Sequence, residues 1–355
     1  MKYCFMAVLA ALVLQQPVAA QEVTPGPIAQ HMQHILTGER QWRTPNPDYK
    51  AGEQTAREFG LRFRLAPDGN HVTGDLTGIY ENGREVRYWT LYSFFNPVTQ
   101  KVIAQQIGGD GTYLYGERDP GKGKREILDM LLYGADGKMK IIRHDTLFVD
   151  ADTQESDVYE RDAQGGWKLM RQWVWRMHDA PLAEDNPPAR NRRPAFIEKY
   201  AGHFLTGSGE WRAPNPDFKR GGPEPEQFGI NYKWGPYKQH VIAEIISIYE
   251  DGRVEKDWSL YFIANPVTEK AYIFQTGKSG VYFQGEMGTD ENGRHTQTGL
   301  IYIPNGTVKS VRDETDIIDD NTHVSHVFER DETGGWKKVR EWTWRQLSEN
   351  SERSF

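Results

Sequence analysis

The chain has 355 residues and a formal net charge of -7, and its Lys and Arg residues alternate with acids rather than forming a basic stripe. This charge distribution disfavours a nucleic-acid partner. The single cysteine, Cys4, lies in an apolar N-terminal stretch, so we do not expect disulfides in the folded protein. Its 11 Trp, 17 Tyr and 35 Gly residues are typical of an all-β protein with many turns.

The N-terminus has the pattern of a secretory signal peptide. Lys2 supplies a positive charge, residues 5–14 form an apolar core, and the small residues at 18–20 offer a cleavage site. The apolar run is much shorter than the roughly 20 residues that a membrane-spanning helix needs. We therefore expect residues 1–20 to be removed, and the mature protein to be periplasmic or secreted without stable membrane insertion.

After a short predicted helix at 28–36, apolar residues recur at every second position in short runs. At 61–65, three apolar residues alternate with Arg62 and Arg64, which predicts a strand with one face in the core and one in water. The segment Asn96 to Lys101 has the composition of a hairpin turn. Further predicted strands follow at 102–107, 112–118, 126–133, 139–148, 155–161 and 167–175.

The second half of the chain repeats the first half. The segment WRTPNPD at 42–48 recurs as WRAPNPD at 211–217, a shift of 169 positions from Trp42 to Trp211, and this register holds without a gap to the end of both copies. Between the copies, 180–193 is rich in Pro, Asn and Arg, as in a linker. The repeat therefore predicts two domains of one duplicated fold, at 21–179 and 194–355.

Each copy has about nine or ten predicted strands and no long amphipathic helix; a second short helix is predicted at 195–204. Consecutive antiparallel strands leave two exposed sheet edges, and closing the sheet on itself removes them. We therefore predict an all-β protein of two tandem antiparallel up-and-down β-barrels. A β-sandwich is the alternative architecture.

Several segments carry a family resemblance that extends over most of the chain, because the second copy repeats them. They are Leu36-Thr37-Gly38 before Trp42, the hairpin at 94–99, the turn at 109–112, and the ending from Tyr159 to Arg176. In these segments the chain resembles bacterial exported and cytoplasmic lipocalin-like (calycin) barrel proteins. The resemblance implies an up-and-down barrel with an internal cavity for a small, mainly apolar molecule. It implies no catalytic residue.

Four titratable residues are candidates for chemistry, each with a structural alternative. His71 and His240 occupy equivalent positions at the start of a strand, where a histidine could be a general base, a haem or metal ligand, or a cap for backbone groups. Glu117 and Glu286 would have a raised pKa if they pointed into a barrel. If they pointed outward, they would be ordinary exposed acids.

Other residues are candidates for ligand binding. Arg143 and Arg312, at equivalent positions, could pair with a carboxylate beside a cavity and bind an anionic head group. Aromatic residues kept in both copies could line a pocket or fill a solid core. These are Tyr80, Trp89, Tyr92 and Tyr113 in the first copy and Tyr249, Trp258, Tyr261 and Tyr282 in the second.

The copies also differ at informative positions. His144 in the first corresponds to Asp313 in the second, and Gln105 corresponds to Phe274, while turn residues agree. We interpret this as one barrel keeping a ligand or catalytic site while the other supports it. Two sites of different specificity are the alternative.

No cofactor or metal site is expected. His323 and His326 are three residues apart on a predicted strand, so they face opposite sides and could not readily chelate one ion. The sequence favours an exported protein that binds a small apolar or aromatic molecule inside a barrel. The alternatives are a cofactor-free acid/base enzyme, such as a lyase, isomerase or cyclase, and an envelope scaffold. Convergence of Tyr113, Glu117 and Arg143 in one cavity would favour the enzyme.

Overall fold

The computed structural model describes residues 27–67, 69–120, 123–179 and 193–347. Within these ranges the chain forms two compact units, each with a closed antiparallel β-barrel of ten strands. The predicted tandem barrels are confirmed, and the sandwich alternative is not adopted. The predicted signal peptide at 1–20 and nearly all of the predicted linker lie outside the described residues, so they and the domain boundaries stay predictions. No helix in the described ranges has the length and apolarity to cross a membrane.

The first barrel is a meander in which each strand pairs with the next, and the last strand closes on the first. Its elements are α1 (Pro27–Met32), β1 (Arg40–Pro45), β2 (Glu58–Leu65), β3 (His71–Ile79), β4 (Glu85–Asn96), β5 (Lys101–Gly108), β6 (Tyr113–Arg118), β7 (Arg125–Tyr133), β8 (Met139–Phe148), β9 (Thr153–Arg161) and β10 (Trp167–Asp179). Trp42 of β1 lies opposite Leu61 of β2 and Met177 of β10, which closes the ring. The helix is shorter than predicted, and β10 runs past its predicted end.

The second barrel repeats this order. Its elements are α2 (Ala195–Ala201), a 3-10 turn (His203–Leu205), β11 (Glu210–Pro214), β12 (Gln227–Trp234), a second 3-10 turn (Pro236–Lys238), β13 (His240–Ile248), β14 (Val254–Asn265), β15 (Lys270–Gly277), β16 (Tyr282–Thr289), β17 (His295–Tyr302), β18 (Val308–Asp319), β19 (Thr322–Arg330) and β20 (Trp336–Gln346). The helix predicted at 195–204 is therefore α2 followed by a 3-10 turn. Closure again runs through the first strand, since Arg212 lies opposite Arg345.

The predicted hairpin between β4 and β5 is set by an asparagine. The Asn96 Oδ1 accepts hydrogen bonds from the backbone N–H groups of Val98 (3.0 Å) and Thr99 (3.1 Å). Asn265 makes the same two bonds in the second barrel. An asparagine that binds the backbone two and three residues ahead reproduces a tight turn, so this local chemistry fixes the register of the flanking strands.

A short helix covers one end of the first barrel. Ile28 and Met32 of α1 pack against Val72, Phe95 and Phe148. These three residues lie at the start of β3 and the ends of β4 and β8, which meet at the same end of the ring. In the second barrel, α2 and the 3-10 turn that follows it contribute apolar side chains to the core in the same way.

Candidate ligand-binding cavity

The first barrel contains a cavity of about 410 Å³. Strand alternation explains which residues border it: Phe59, Leu61 and Phe63 of β2 point inward, and Arg62 points outward. The three inward side chains are only partly buried, whereas Arg62 is 4% exposed. The part of these three apolar side chains that stays accessible therefore faces the cavity. The volume falls within the range of about 300–1,000 Å³ that small-molecule sites occupy.

A β-bulge directs two neighbouring rings into this cavity. The pairing of β3 with β4 shifts between Leu76 and Thr77, which leaves Tyr88 as the extra residue on β4. Tyr88 and Trp89 consequently both line the cavity, although they are adjacent in sequence. Gly78 makes room for this arrangement, because a Cβ there would lie 2.6 Å from the Tyr88 ring. The apolar wall comprises Phe59, Leu61, Phe63, Leu76, Tyr88, Trp89, Leu91 and Trp173.

The wall formed by β8 and β9 carries four polar side chains that are uncharged at neutral pH, beside the apolar Phe148 and Val158. His144 and Thr146 face inward from β8, and Gln154 and Ser156 face inward from β9. The hydroxyls of Thr146 and Ser156 are hydrogen-bonded at 3.1 Å. Removal from bulk water lowers the pKa of His144 to about 4, so the imidazole is neutral at pH 7. Its Nε2 is buried and has no hydrogen-bond partner among the described residues.

An ion pair lies at the helix-covered end of the cavity. Arg118, at the end of β6, donates from Nη1 to the Glu126 Oε1 of β7 at 2.8 Å. Both side chains line the cavity, and only 7% and 10% of their surfaces are exposed. His34, just after α1, approaches the same Glu126 oxygen with its Nε2 at 3.1 Å. The positive and negative charges at this end of the cavity therefore neutralise each other.

The interior of the second barrel is filled. Its void is about 60 Å³, which has room for a few water molecules but not for an organic ligand. Phe262 and Ile273 stand where the first barrel has Ser93 and Ala104, and both of these larger residues are fully buried in the core. Other enlargements from the first barrel to the second are Ile35 to Phe204, Phe63 to Tyr232 and Leu114 to Phe283.

Titratable groups border the small void. Asp313 and His323 stand where the first barrel has His144 and Gln154. Burial raises the pKa of Asp313 to about 7, and the Thr315 hydroxyl donates to its carboxylate at 3.0 Å. Burial lowers the pKa of His323 to about 3. His323 and His326 face opposite sides of β19, as predicted, since His326 instead contacts Asp316 at 2.9 Å outside the barrel.

The two predicted acids point outward. Glu117 lies between the inward-facing Gly116 and Arg118 of β6, and its carboxylate is 3.8 Å from the Lys101 Nζ. Glu286 accepts a hydrogen bond from the Lys270 Nζ at 2.8 Å. Their side chains are 38% and 50% exposed. Both carboxylates therefore lie on the outer surface of their barrel, which corresponds to the exposed alternative.

The two predicted histidines are buried but do not border either cavity among the lining residues that the structure describes. His71 stacks on Phe94 at a centroid distance of 5.8 Å. The His240 ring fills the space beside Gly235, where a Cβ would lie 2.2 Å from it. Both positions therefore have a packing role at the start of β3 and β13.

The predicted arginines pair with carboxylates, but outside the barrels. Arg143 makes two hydrogen bonds to Asp129, at 2.6 and 2.7 Å, and stacks over Trp167 at 4.2 Å. Arg312 pairs with Glu314 at 2.8 Å. Because each arginine alternates with inward-facing residues of β8 and β18, neither pair lines a cavity, which corrects the expectation of an internal anion site.

Four aromatic residues of the first copy were predicted to line a pocket. Among these in the described part of the chain, Trp89 has a ring that faces the cavity. Tyr92 borders the cavity along β4, but it alternates with Leu91 and Ser93, and its ring stacks on Phe94 at 6.3 Å. Burial raises the pKa of Tyr92. Because alternation points the Tyr92 ring away from the cavity, Trp89 alone of this pair can meet a ligand through its ring.

The remaining predicted aromatics pack elsewhere. The Tyr80 hydroxyl is hydrogen-bonded to the Tyr88 hydroxyl at 3.0 Å, and Tyr113 stacks on Tyr133 at 5.8 Å. In the second barrel Tyr249 lies under Arg253, Tyr282 stacks on Tyr302, Trp258 is part of the core and Tyr261 is 5% exposed. At these positions, retention in both copies marked residues with a packing role.

Sequence reasoning missed most of the cavity-lining residues. Tyr88, Arg118, Glu126 and Gln154 were not candidates, and His144 was noted only as a position that differs between copies. That difference was a useful signal, because all five positions carry another residue type in the second barrel. The other differing position, Gln105, also borders the cavity, along β5 between Ala104 and Gln106.

No known family model matches the chain. No curated protein matches it either. Similar solved structures include a protein of unknown function from the DUF3598 family of Nostoc punctiforme, with 11% identity, a TM-score of 0.20 and coverage of 90% of this chain and 99% of that one.

Two further matches are intact Ap-TbpB with its N and C lobes, at 6% identity and a TM-score of 0.17, and a variant of the PpsC dehydratase domain from Mycobacterium tuberculosis, at 10% and 0.13. They cover 88% and 73% of this chain and 77% and 94% of the matched chains. Likenesses this distant carry no argument about function. The resemblance to lipocalin-like proteins stays a prediction.

Proposed function

We propose that this protein is an exported binding protein that holds one small, mainly apolar or aromatic molecule inside its first barrel. The observation that supports this most strongly is the 410 Å³ cavity, with an aromatic wall on one side and a few neutral polar groups on the other. Ligand sites typically combine these two features, because apolar burial supplies affinity and a small number of polar groups fix orientation.

The contrast between the barrels supports the same proposal. Empty apolar space weakens a protein core, because the residues around it lose contacts. The second barrel shows that this fold accommodates larger side chains at the same positions, as Phe262 and Ile273 demonstrate. Keeping Ser93 and Ala104 in the first barrel sacrifices packing, and binding of a ligand would compensate for that loss.

Binding is preferred to acid/base turnover on geometric grounds. The enzyme alternative required Tyr113, Glu117 and Arg143 to converge in one cavity. Glu117 and Arg143 instead make ion pairs on the outer surface. The imidazole that does face the cavity, His144, belongs to a group whose other members are hydroxyls and an amide.

The decisive experiment fills the cavity with the second barrel's own residues. Wild-type protein should enhance the fluorescence of N-phenyl-1-naphthylamine, an apolar dye, in a saturable titration. The double variant Ser93→Phe with Ala104→Ile should fold normally and lose this binding. Ile127→Phe, which enlarges a side chain that is 48% exposed on the outside of β7, is the matched control. Dye binding that persists unchanged in the double variant would rule out the cavity as the site.

Export rests on the predicted signal peptide at 1–20 and is tested separately. The protein produced with its own N-terminus should be recovered outside the cytoplasm, with a mass that corresponds to loss of these residues. Native mass spectrometry of that material, followed by extraction of bound small molecules, would identify the natural ligand. An uncleaved protein that stays in the cytoplasm would contradict the export proposal and leave the binding proposal untouched.

A further inference from the structure

The charges that face the cavity of the first barrel balance one another. In the described part of the chain, the ion pair of Arg118 and Glu126 supplies the cationic and anionic side chains of the lining. They contact each other at 2.8 Å and are almost completely removed from water. The other polar lining groups are neutral, and they include Ser93 and Gln106 on β4 and β5 besides the imidazole, two hydroxyls and one amide on β8 and β9. A ligand in this cavity therefore meets no unbalanced charge.

A charged head group would be costly in such a site. A ligand carboxylate at Arg118 would share the guanidinium with Glu126, so two buried carboxylates would face one cation. A cation would compete in the same way with Arg118 for Glu126. Either ligand adds a buried charge without a new counter-charge, which is strongly unfavourable.

The polar groups nevertheless select a hydrogen-bonding ligand. His144, Gln154 and Ser156 provide donors and acceptors along one wall, and the rings of Tyr88 and Trp89 lie on β4, across the barrel from them. A ligand with one polar end and one apolar or aromatic end would satisfy both walls. A fully apolar ligand would leave the buried His144 Nε2 without a partner.

We infer that the first barrel binds an electrically neutral amphipathic molecule, with a hydroxyl, carbonyl or similar group directed at β8 and β9, and that it discriminates against carboxylate and ammonium head groups. This inference rests on the proposed function and specifies its ligand class. The Arg118–Glu126 pair acts as the discriminating element, because each partner keeps the other unavailable to a charged ligand.

The test compares three probes with the same ten-carbon chain and different head groups. 1-Decanol, decanoate and decyltrimethylammonium are each titrated at pH 7.5 against wild-type protein loaded with N-phenyl-1-naphthylamine. We expect decanol to displace the dye at a concentration at least about tenfold lower than either charged probe. Equal or better displacement by either charged probe would overturn the inference. Failure of the dye to bind, or unchanged dye binding in the Ser93→Phe/Ala104→Ile variant, would instead contradict the proposed function.

Variants of the ion pair assign the discrimination to a residue. Glu126→Gln removes the carboxylate that pairs with Arg118. The affinity for decanoate should therefore rise at least about tenfold relative to the affinity for decanol. The matched control is Asp145→Asn, which removes the carboxylate of an outer-surface pair with Arg125 and should leave the probe order unchanged. If Glu126→Gln ranks the three probes by affinity as the wild type does, the pair is not the discriminating element and the inference fails.

Two further measurements guard against misfolding and test the polar wall. The double variant Arg118→Met with Glu126→Gln removes both charges, and Met is the residue that the second barrel has at the equivalent position, Met287. It should fold and still prefer decanol. His144→Leu should weaken decanol about 2- to 10-fold, the effect of one lost hydrogen bond. Unchanged decanol affinity in His144→Leu would contradict the proposed direction of the polar group.

Discussion

The two barrels share strand order, closure and turn chemistry, yet one is hollow and the other is solid. Ser93 and Ala104 in the first barrel correspond to Phe262 and Ile273 in the second, and the cavity volumes are about 410 and 60 Å³. The same ten-strand ring therefore closes around two different interiors. Side-chain volume at a few inward positions then decides whether the ring encloses space.

The barrels differ in internal chemistry as well as in volume. The position occupied by His144 in the first is occupied by Asp313 in the second, and Arg118 is replaced by Met287. The first interior has a balanced ion pair and a neutral imidazole, and the second has a buried carboxyl group beside a void of water size. Duplication has thus kept the framework while allowing the two interiors to diverge.

The largest effect should come from emptying the solid barrel. Phe262→Ala removes a fully buried ring from the core, so we expect the free energy of unfolding to fall by about 3–5 kcal/mol. Ser93→Ala at the equivalent position should change it by less than about 1 kcal/mol, because Ser93 already borders empty space. Urea unfolding measures both changes, and hydrogen exchange of peptides from each barrel locates them. Similar losses in both variants would mean that the barrels are packed alike.

The second largest effect concerns pH at one equivalent position. The folded-state pKa of His144 is about 4, below the usual 6.5, so the unfolded chain binds the proton first and stability falls as pH drops from 6.5 to 4. The folded-state pKa of Asp313 is about 7, above the usual 3.8, so the folded chain keeps the proton and stability falls as pH rises from 3.8 to 7. The two barrels should therefore respond in opposite directions at this position.

Asparagine substitutions separate the two contributions. Relative to wild type, His144→Asn should reduce the stability lost between pH 7 and pH 4.5, and Asp313→Asn should reduce the stability gained over the same change. Each difference should be on the order of 2–3 kcal/mol, since one pKa unit corresponds to about 1.4 kcal/mol. Urea unfolding of the full chain at both pH values provides the measurement. Differences of the same sign in the two variants would contradict the assignment.

Much of the framework was predictable from local patterns. The alternation at 61–65 correctly predicts which residues of β2 face inward, and the Asn96 turn correctly predicts where β4 ends and β5 begins. These features depend on neighbours in sequence, so a single sequence is enough to find them. The tandem arrangement of two like barrels followed from the internal repeat, which is also visible in a single sequence.

The lining of the cavity was harder to predict. The bulge at Tyr88 reverses the inward and outward alternation of β4, and no local sequence pattern predicts that extra residue. Aromatic residues kept in both copies, such as Tyr80 and Tyr113, pack against other rings and do not line the cavity. The cavity lining differs between the copies at Arg118 and His144, so positions of this kind were the more informative choice.

A smaller effect should come from adding volume to each barrel. Ala104→Ile extends into the cavity of the first barrel, so it should be neutral or stabilise the fold by about 1 kcal/mol. Ala213→Val adds less volume, but Ala213 is 1% exposed within a filled core, and overpacking there should cost about 1–3 kcal/mol. Thermal unfolding of the two variants tests this contrast. A destabilised Ala104→Ile variant would show that the cavity cannot accept added side-chain volume.

The smallest effect should come from the two outward acids. Glu117→Gln and Glu286→Gln each remove one partner of an exposed ion pair, so stability should change by less than about 1 kcal/mol and dye binding should stay at the wild-type level. Arg118 is the informative comparison for Glu117, because a shift of one residue along a strand moves a side chain to the opposite face. Loss of dye binding in Glu117→Gln but not in Arg118→Met would require β6 to present its other face to the ligand.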